Sequence, residues 1–224
     1  MIKNLILIGA SSEIAQQVIY ESRDKNLKVF RISKSISDDK TLYIDDYLQN
    51  LDKIIDFINN IKDPYIIFFN GYLKENRPLQ SPDLEEINNT ININFVIPYI
   101  LTEKIISKAN YKKLIYISTV AAIKPRYKNY IYGLSKKMLE SSIVEFNKKN
   151  ITIFRFGKVR TKMSETHADP VFTISSNQAA RVIINNLDKN AVVYSSFGIR
   201  VVSYVLKILP LGLINRIEKF YINE

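Results

Sequence analysis

Tyr132 and Lys136 are the residues with the clearest capacity for chemistry in this chain of 224 residues. They stand at i and i+4, a spacing that puts two side chains on one face of a helix. A strand-like run ending in Ser118-Thr119 precedes them. Free tyrosine titrates near ~10, and a neighbouring ammonium stabilises tyrosinate. The pair is therefore expected to make a proton donor of lowered pKa, suited to general acid catalysis. A hydroxyl from the preceding strand end can polarise the same carbonyl. With 14 tyrosines in the chain such a pair arises easily by chance. Its order after a strand-end hydroxyl is much less common.

Other chemistries are excluded by composition. There is no cysteine and only one histidine, His167, so disulfides, thiolate metal sites and multi-histidine metal sites cannot form. No metal is expected. The net charge of +10 admits nucleic acid, an anionic membrane surface or an anionic small molecule. The lysines are scattered, and no aromatic-plus-basic strand or basic recognition helix stands out, so nucleic acid is not expected. The N-terminal apolar run starts almost at once and ends in Gly-Ala-Ser-Ser, which is no signal-peptide layout. A cytoplasmic protein is expected.

The elements that must position these groups follow from hydrophobic periodicity. Short apolar, β-branched runs at residues 2–8, 28–33, 41–44, 65–69, 113–118, 151–156 and 191–194 read as strands. Amphipathic stretches at 14–22, 51–61, 84–106, 132–148 and 177–187 read as helices, the third bent near Pro98. The alternation predicts a single α/β domain, a Rossmann-like doubly wound parallel sheet with helices on both faces. Residues 1–198 would form the catalytic and cofactor-binding part. An apolar, basic tail at 199–224 would belong to the same domain. Ligands in such sheets sit at the carboxyl ends of the strands, so the polar residues there are the candidates.

Gly9 follows the first strand, and Ser11 and Ser12 precede the first helix. Backbone N–H groups at a helix N-terminus favour an anion, although any strand-to-helix corner can carry a glycine and a serine cap. Asn70-Gly71 closes the fourth strand. A glycine there lets a flat ring approach the backbone, and a plain turn is the alternative. Asp45, after the third strand, can accept from an adenine amino group or cap the next helix.

Together these features resemble the short-chain dehydrogenases/reductases, a Rossmann-fold family, over nearly the whole chain. Tyr132-Gly-Leu-Ser-Lys136 is similar to the family's Tyr-x-x-x-Lys, and Asn70-Gly71 to its Asn-Ala-Gly strand end. Asn94, in "NINFVIP", matches the helix asparagine of the family's proton relay. The segment "FRFGKVRT" (154–161) is similar to its Pro-Gly segment, with Val159 and Thr161 where the nicotinamide carboxamide is held. The resemblance implies hydride transfer to a carbonyl, with Tyr132 as proton donor, Lys136 tuning it, and Asn94 completing the relay. The orienting hydroxyl falls on Thr119, thirteen residues before Tyr132, with its neighbour Ser118 as the alternative. The implied cofactor contacts are Gly9, Ser11, Ser12, Ile14, Ser33, Lys34, Asp45, Asn70, Gly71, Tyr132, Lys136, Val159 and Thr161.

The cofactor follows from the second strand end. A carboxylate there would accept from the ribose of NAD. Ser33 and Lys34 stand there instead and suit a 2′-phosphate, so NADP(H) is expected, with NAD(H) as second choice. The glycine turn departs from the family: Ile8 replaces its threonine, Glu13 its second glycine and Ala15 its third. The Glu13 carboxylate must point away from a pyrophosphate or meet a cation.

The substrate is expected to be a small carbonyl or alcohol. Two basic clusters, Lys124/Arg126/Lys128 and Lys158/Arg160/Lys162, flank the expected mouth, and His167 falls in the segment where the family has its mobile substrate loop. Arg126, Arg160 and His167 are candidate contacts to an anionic sugar. The turn, the catalytic segment and the tail look most similar to reductases of polyprenyl-phosphoryl 2-keto-pentoses and related surface-polysaccharide enzymes. That implies a phosphorylated, nucleotide-linked or lipid-linked keto-sugar. A homodimer or homotetramer is implied by the family. The tail suits an interfacial helix with peripheral contact at the inner membrane face, a lid, a dimer contact, or burial on its own domain. Two other classes stay open: a non-catalytic dinucleotide-binding sensor or scaffold, and a membrane-surface interaction protein using the tail.

Overall fold

The fold is described by a computed structural model at residues 2–74, 83–126, 129–146, 149–165 and 169–222. The elements run β1 Lys3–Ile8, α1 Glu13–Glu21, β2 Leu27–Ser33, β3 Thr41–Tyr43, α2 Leu51–Asn59, β4 Tyr65–Phe68, α3 Leu84–Ile91 and α4 Ile97–Lys108. There follow β5 Lys113–Thr119, α5 Tyr130–Glu145, β6 Ile151–Phe156, β7 Val159–Arg160, β8 Ile174–Ser175, α6 Ser176–Asn185, β9 Val192–Tyr194, α7 Phe197–Ile208 and α8 Leu211–Ile222. Seven strands form one parallel sheet in the order β3-β2-β1-β4-β5-β6-β9, and β7 pairs with β8 apart from it.

The alternation of side chains along each strand builds two apolar layers. Ile6, Ile8, Ile66, Phe68, Leu114 and Tyr116 face one core with α2, α4 and α5. Leu5, Leu7, Ile67, Phe69 and Ile115 face the other with α1 and α6. Strands covered on both sides need apolar residues at every position, which explains the unbroken runs in β1 and β4. The sheet and its two helical layers agree with the doubly wound expectation.

The connections leave β1 toward β2 and then return to β4 on its other side. The carboxyl ends of β1 and β4 thus diverge at a topological switch point, where open α/β sheets bind ligands.

Three elements differ from the sequence-based expectation. The helix read over 84–106 is α3 and α4 joined by a π-helical turn, Asn92–Val96. Pro98 does not break it, because it sits in the first turn of α4, where a missing N–H is tolerated. Helix α5 starts two residues before Tyr132, at Tyr130. The tail, too, is two helices broken at Pro210, with α7 packed on the turn Val120–Ala122 beyond β5.

A buried ion pair ties α5 to β6. Arg155 donates to both carboxylate oxygens of Glu140, and Ser118 Oγ donates to Glu140 Oε1 at 2.5 Å. Arg155 Nη1 also donates to the Tyr194 hydroxyl at 3.2 Å. The two charged side chains are only 9% and 12% exposed. Glu140→Ala would strand the guanidinium without its partner. It is expected to lower stability by about 3–5 kcal/mol, read as a fall in the urea midpoint at unchanged slope.

Candidate active site

Each candidate side chain is set by a strand end or a helix start. Gly9 leaves β1 with φ +77°, and a Cβ there would sit 3.0 Å from the Asn70 backbone N. Only glycine tolerates both the left-handed backbone and that approach. Ser11, Ser12, Glu13 and Ile14 then open α1. Asn70 and Gly71 continue from β4, Ser118 and Thr119 end β5, and Tyr132 and Lys136 lie one turn apart on α5. Gly133 lets α5 come close: a Cβ there would lie 2.8 Å from the Ala121 carbonyl oxygen and 3.1 Å from Pro125 Cα.

Lys136 is buried. Its ammonium donates to the Asn70 carbonyl at 2.9 Å and to the Ile117 carbonyl at 3.4 Å, bridging the ends of β4 and β5. Burial pulls its pKa down to about 8, with the Glu140 carboxylate opposing. Tyr132 is half-buried, and its burial pushes the phenol up to about 12. The expected lowering of its pKa by the neighbouring ammonium is therefore corrected in the chain by itself. Lys136 spends its charge on two carbonyls, and desolvation governs Tyr132.

A cavity of about 580 Å³ lies at the switch point. It brings together Gly9, Ser11, Ser12, Ile14, Lys34, Asn70, Gly71, Ser118, Tyr132, Lys136 and Thr161 of the expected site. The others that the structure describes lie off its wall. Ser33 is fully buried, and its Oγ accepts from the N–H groups of Ser35 and Ile36, folding the turn after β2. Asp45 Oδ1 accepts from the Asp46 N–H at 2.8 Å and from Asn50 Nδ2 at 2.7 Å. These bonds draw the carboxyl below its usual range and build the turn into α2. Thr119 Oγ1 accepts from the Ala121 N–H at 3.3 Å, and among the described residues its own O–H donates to nothing. The carbonyl of Val159 accepts from Ser164 Oγ at 2.7 Å.

Asn94, fully buried in the π-helical turn, clamps the backbone of one residue on both sides of its Cα. Its Nδ2 donates to the Tyr72 carbonyl at 2.8 Å, and the Tyr72 N–H donates to its Oδ1 at 2.9 Å. It thus holds the backbone just after Asn70-Gly71.

The basic clusters are less open than their sequence suggests. Lys158 and Arg160 share the Asp169 carboxylate, at 2.7 and 2.6 Å, which holds that carboxyl below its usual range. Lys124 donates to the Leu209 carbonyl, and Arg126 has its own partner. Of the six cations, Lys162 reaches the cavity wall. Lys128 and His167 lie outside the described residues.

Sequence reasoning missed Tyr47. Its phenol is pushed up to about 12 by burial and reaches the Gly9 backbone and the Asn70 side chain. It stands on the cavity wall, two residues beyond Asp45. A lone tyrosine two residues past a short strand carries no signal in the sequence.

No protein-family model matches the chain, and no curated protein matches it. Solved structures do. A short-chain dehydrogenase from Burkholderia cenocepacia in complex with NADP matches with a TM-score of 0.75 over 92% of this chain and 93% of that one, at 15% identity. ElxO with NADP bound matches at 0.71 over 90% and 100%, at 16% identity. The ligand-free aldohexose dehydrogenase of Thermoplasma acidophilum matches at 0.68 over 89% and 94%, at 16% identity. The chain has the short-chain dehydrogenase/reductase fold.

Within that fold Glu13 is a bridge. Its Oε1 accepts from the Lys162 N–H at 2.6 Å, joining the first turn of α1 to the segment across the cavity. Meeting a cation is one of the two expected arrangements, and a backbone amide takes the cation's place. The carboxylate also stands at a helix N-terminus, where it competes with any other anion. Glu13→Gly is expected to leave NADPH affinity equal or to raise it by about two- to fivefold, from the ~0.3–1 kcal/mol of a charge at a helix end, as read by fluorescence titration.

Proposed function

We propose that the chain is an NADP(H)-dependent oxidoreductase of the short-chain dehydrogenase/reductase family, interconverting a carbonyl and an alcohol. The observation that carries this is one cavity holding Tyr132, Lys136, Asn70 and the Gly9 turn together. A dinucleotide sensor or scaffold has no need of the first two.

The residues fit the cofactor. The left-handed Gly9 turn and the open N-terminus of α1 suit a pyrophosphate. Asn70 Oδ1 is buried with no hydrogen-bond partner among the described residues, so an acceptor waits on the cavity wall. Lys34 adds a cation at the end of β2, which suits a 2′-phosphate. The Burkholderia and ElxO structures carry NADP, which supports the same choice.

A bound nicotinamide supplies the hydride. The chain does the rest. An ammonium has three donors. The two carbonyls take two of Lys136's, and the third is left for the cofactor ribose or Tyr132. With its pKa near 8, Lys136 is charged at neutral pH, while Tyr132 keeps its proton for the carbonyl oxygen that gains negative charge. Ser118 already donates its hydroxyl hydrogen bond to Glu140. That leaves Thr119, just off the cavity wall with its O–H uncommitted, as the hydroxyl we propose for orienting the carbonyl, against the wall position of Ser118. Asn94 acts by fixing the two peptide groups that flank Tyr72.

For the substrate we infer a phosphorylated, nucleotide-linked or lipid-linked keto-sugar of surface-polysaccharide synthesis. The resemblance of the catalytic segment and tail supports it, and so does Lys162 at the cavity. A homodimer or homotetramer through α4 and α5 is part of the proposal, supported by the exposed Val144 and Met138 on α5.

Tyr132→Phe is expected to cut turnover by about 10²- to 10⁴-fold, with NADPH binding kept by fluorescence titration. Unchanged turnover overturns the reading. Lys34→Ala is expected to raise the KM for NADPH about tenfold, the loss of one charged hydrogen bond, while the KM for NADH stays put.

A further inference from the structure

Helix α7 has two apolar faces, and only one is used. Ile199 and Leu206, with Ser203 between them, are buried on Val120 and the turn after β5. The opposite stripe is bare. Phe197, Val201, Tyr204, Val205 and Ile208 recur at i, i+4, i+7, i+8 and i+11, one face of a helix. Phe197 is 79% exposed and Ile208 82%. The ring of Phe172 lies against Gly198 and is itself exposed, which widens the stripe at its start. Soluble surfaces rarely leave apolar groups contiguous in this way.

The charge around the stripe says what covers it. Between Asp188 and Glu218 the sequence has no acidic residue, but it has Lys189, Arg200, Lys207 and Arg216. Arg200 and Lys207 lie exposed on α7 beside the stripe, and Lys207 sits over the Tyr204 ring, 5.5 Å from its centroid. A second copy docked antiparallel, by a two-fold axis running across α7, would set each stripe on its twin and bring these cations to the same edge, like on like. A layer of anionic headgroups over an apolar interior matches both features. None of the described helices is long and apolar enough to cross a membrane.

We propose that α7 lies in the surface of an anionic membrane, its bare stripe among the acyl chains and Arg200 and Lys207 at the headgroups. Contacts of α7 with the sheet set how the domain sits on that surface. Ile199 abuts Gly157 just beyond β6, and Lys124, after β5, donates to the Leu209 carbonyl at the end of α7. The docked helix is thereby fixed to the carboxyl edge of the sheet, the edge at which the cavity opens. Resting on the oxidoreductase reading, a substrate carried by a lipid tail would meet the site from the bilayer.

The full chain is tested by cosedimentation with vesicles of phosphatidylglycerol and of phosphatidylcholine. Binding to phosphatidylglycerol is expected, at least about tenfold stronger than to phosphatidylcholine and weakened by salt. Ile208→Asp should lower it at least about tenfold, with unchanged circular dichroism and melting because the side chain is exposed. No binding to phosphatidylglycerol, or equal binding by I208D, overturns the proposal. So does a wild-type dimer that I208D makes monomeric in sedimentation velocity, which assigns the stripe to a second copy. The assay needs neither cofactor nor turnover, so its failure leaves the oxidoreductase reading standing, and an active Tyr132→Phe leaves membrane binding standing.

Discussion

The buried ammonium of Lys136 organises the site. An unpaired charge in such a place is costly, and it persists only where the protein supplies partners. Here those are two strand-end carbonyls, Asn70 and Ile117, from neighbouring strands of the sheet. One side chain thus fixes α5 to β4 and β5 at once, at the edge where the connections divide. Its pull on the Asn70 carbonyl also sets the backbone whose side chain faces the cavity. Glu140, one turn further along α5, supports the same charge from behind and spends its own on Arg155.

The backbone around this ammonium is held from a second direction. The π-helical turn at Asn92–Val96 inserts an extra residue per turn, as such turns often do at functional sites. It leaves Asn94 inside the fold with both amide atoms bonded to Tyr72. Residues 70–72 therefore run between Lys136 on one side and Asn94 on the other. Tyr47 closes over the start of the same strand end and touches Gly9. The backbone around Gly9 and Asn70–Gly71, on the cavity wall, is thus held by side chains from other elements.

Much of this was legible in sequence because it is periodic or local. The unbroken apolar runs of β1 and β4 announced strands covered on both faces, and the i, i+4 spacing put Tyr132 and Lys136 together. What was not legible depends on partners distant in the chain. Glu13 meets an amide 149 residues away, and Arg160 finds Asp169 instead of the cavity. Asp45 and Tyr47 are two residues apart, yet burial sends the tyrosine to the wall and leaves the carboxylate in a turn. The direction of the Tyr132 shift was misread for a related reason. Charge proximity can be inferred from spacing, whereas desolvation depends on everything packed nearby. The π-helical turn has no proline or glycine to mark it, and the proline in view, Pro98, was harmless.

Gly133 carries a consequence for how the site withstands change. With no side chain at that point, the α5 backbone can approach the Ala121 carbonyl, and that approach sets the spacing between Tyr132 and the end of β5. It does not depend on how well side chains happen to fill the layer beneath. Drift in the apolar core, of the kind that accumulates between distant relatives, can then reshape that layer without moving Tyr132. The machining tolerance of the site is written into a residue that has no side chain.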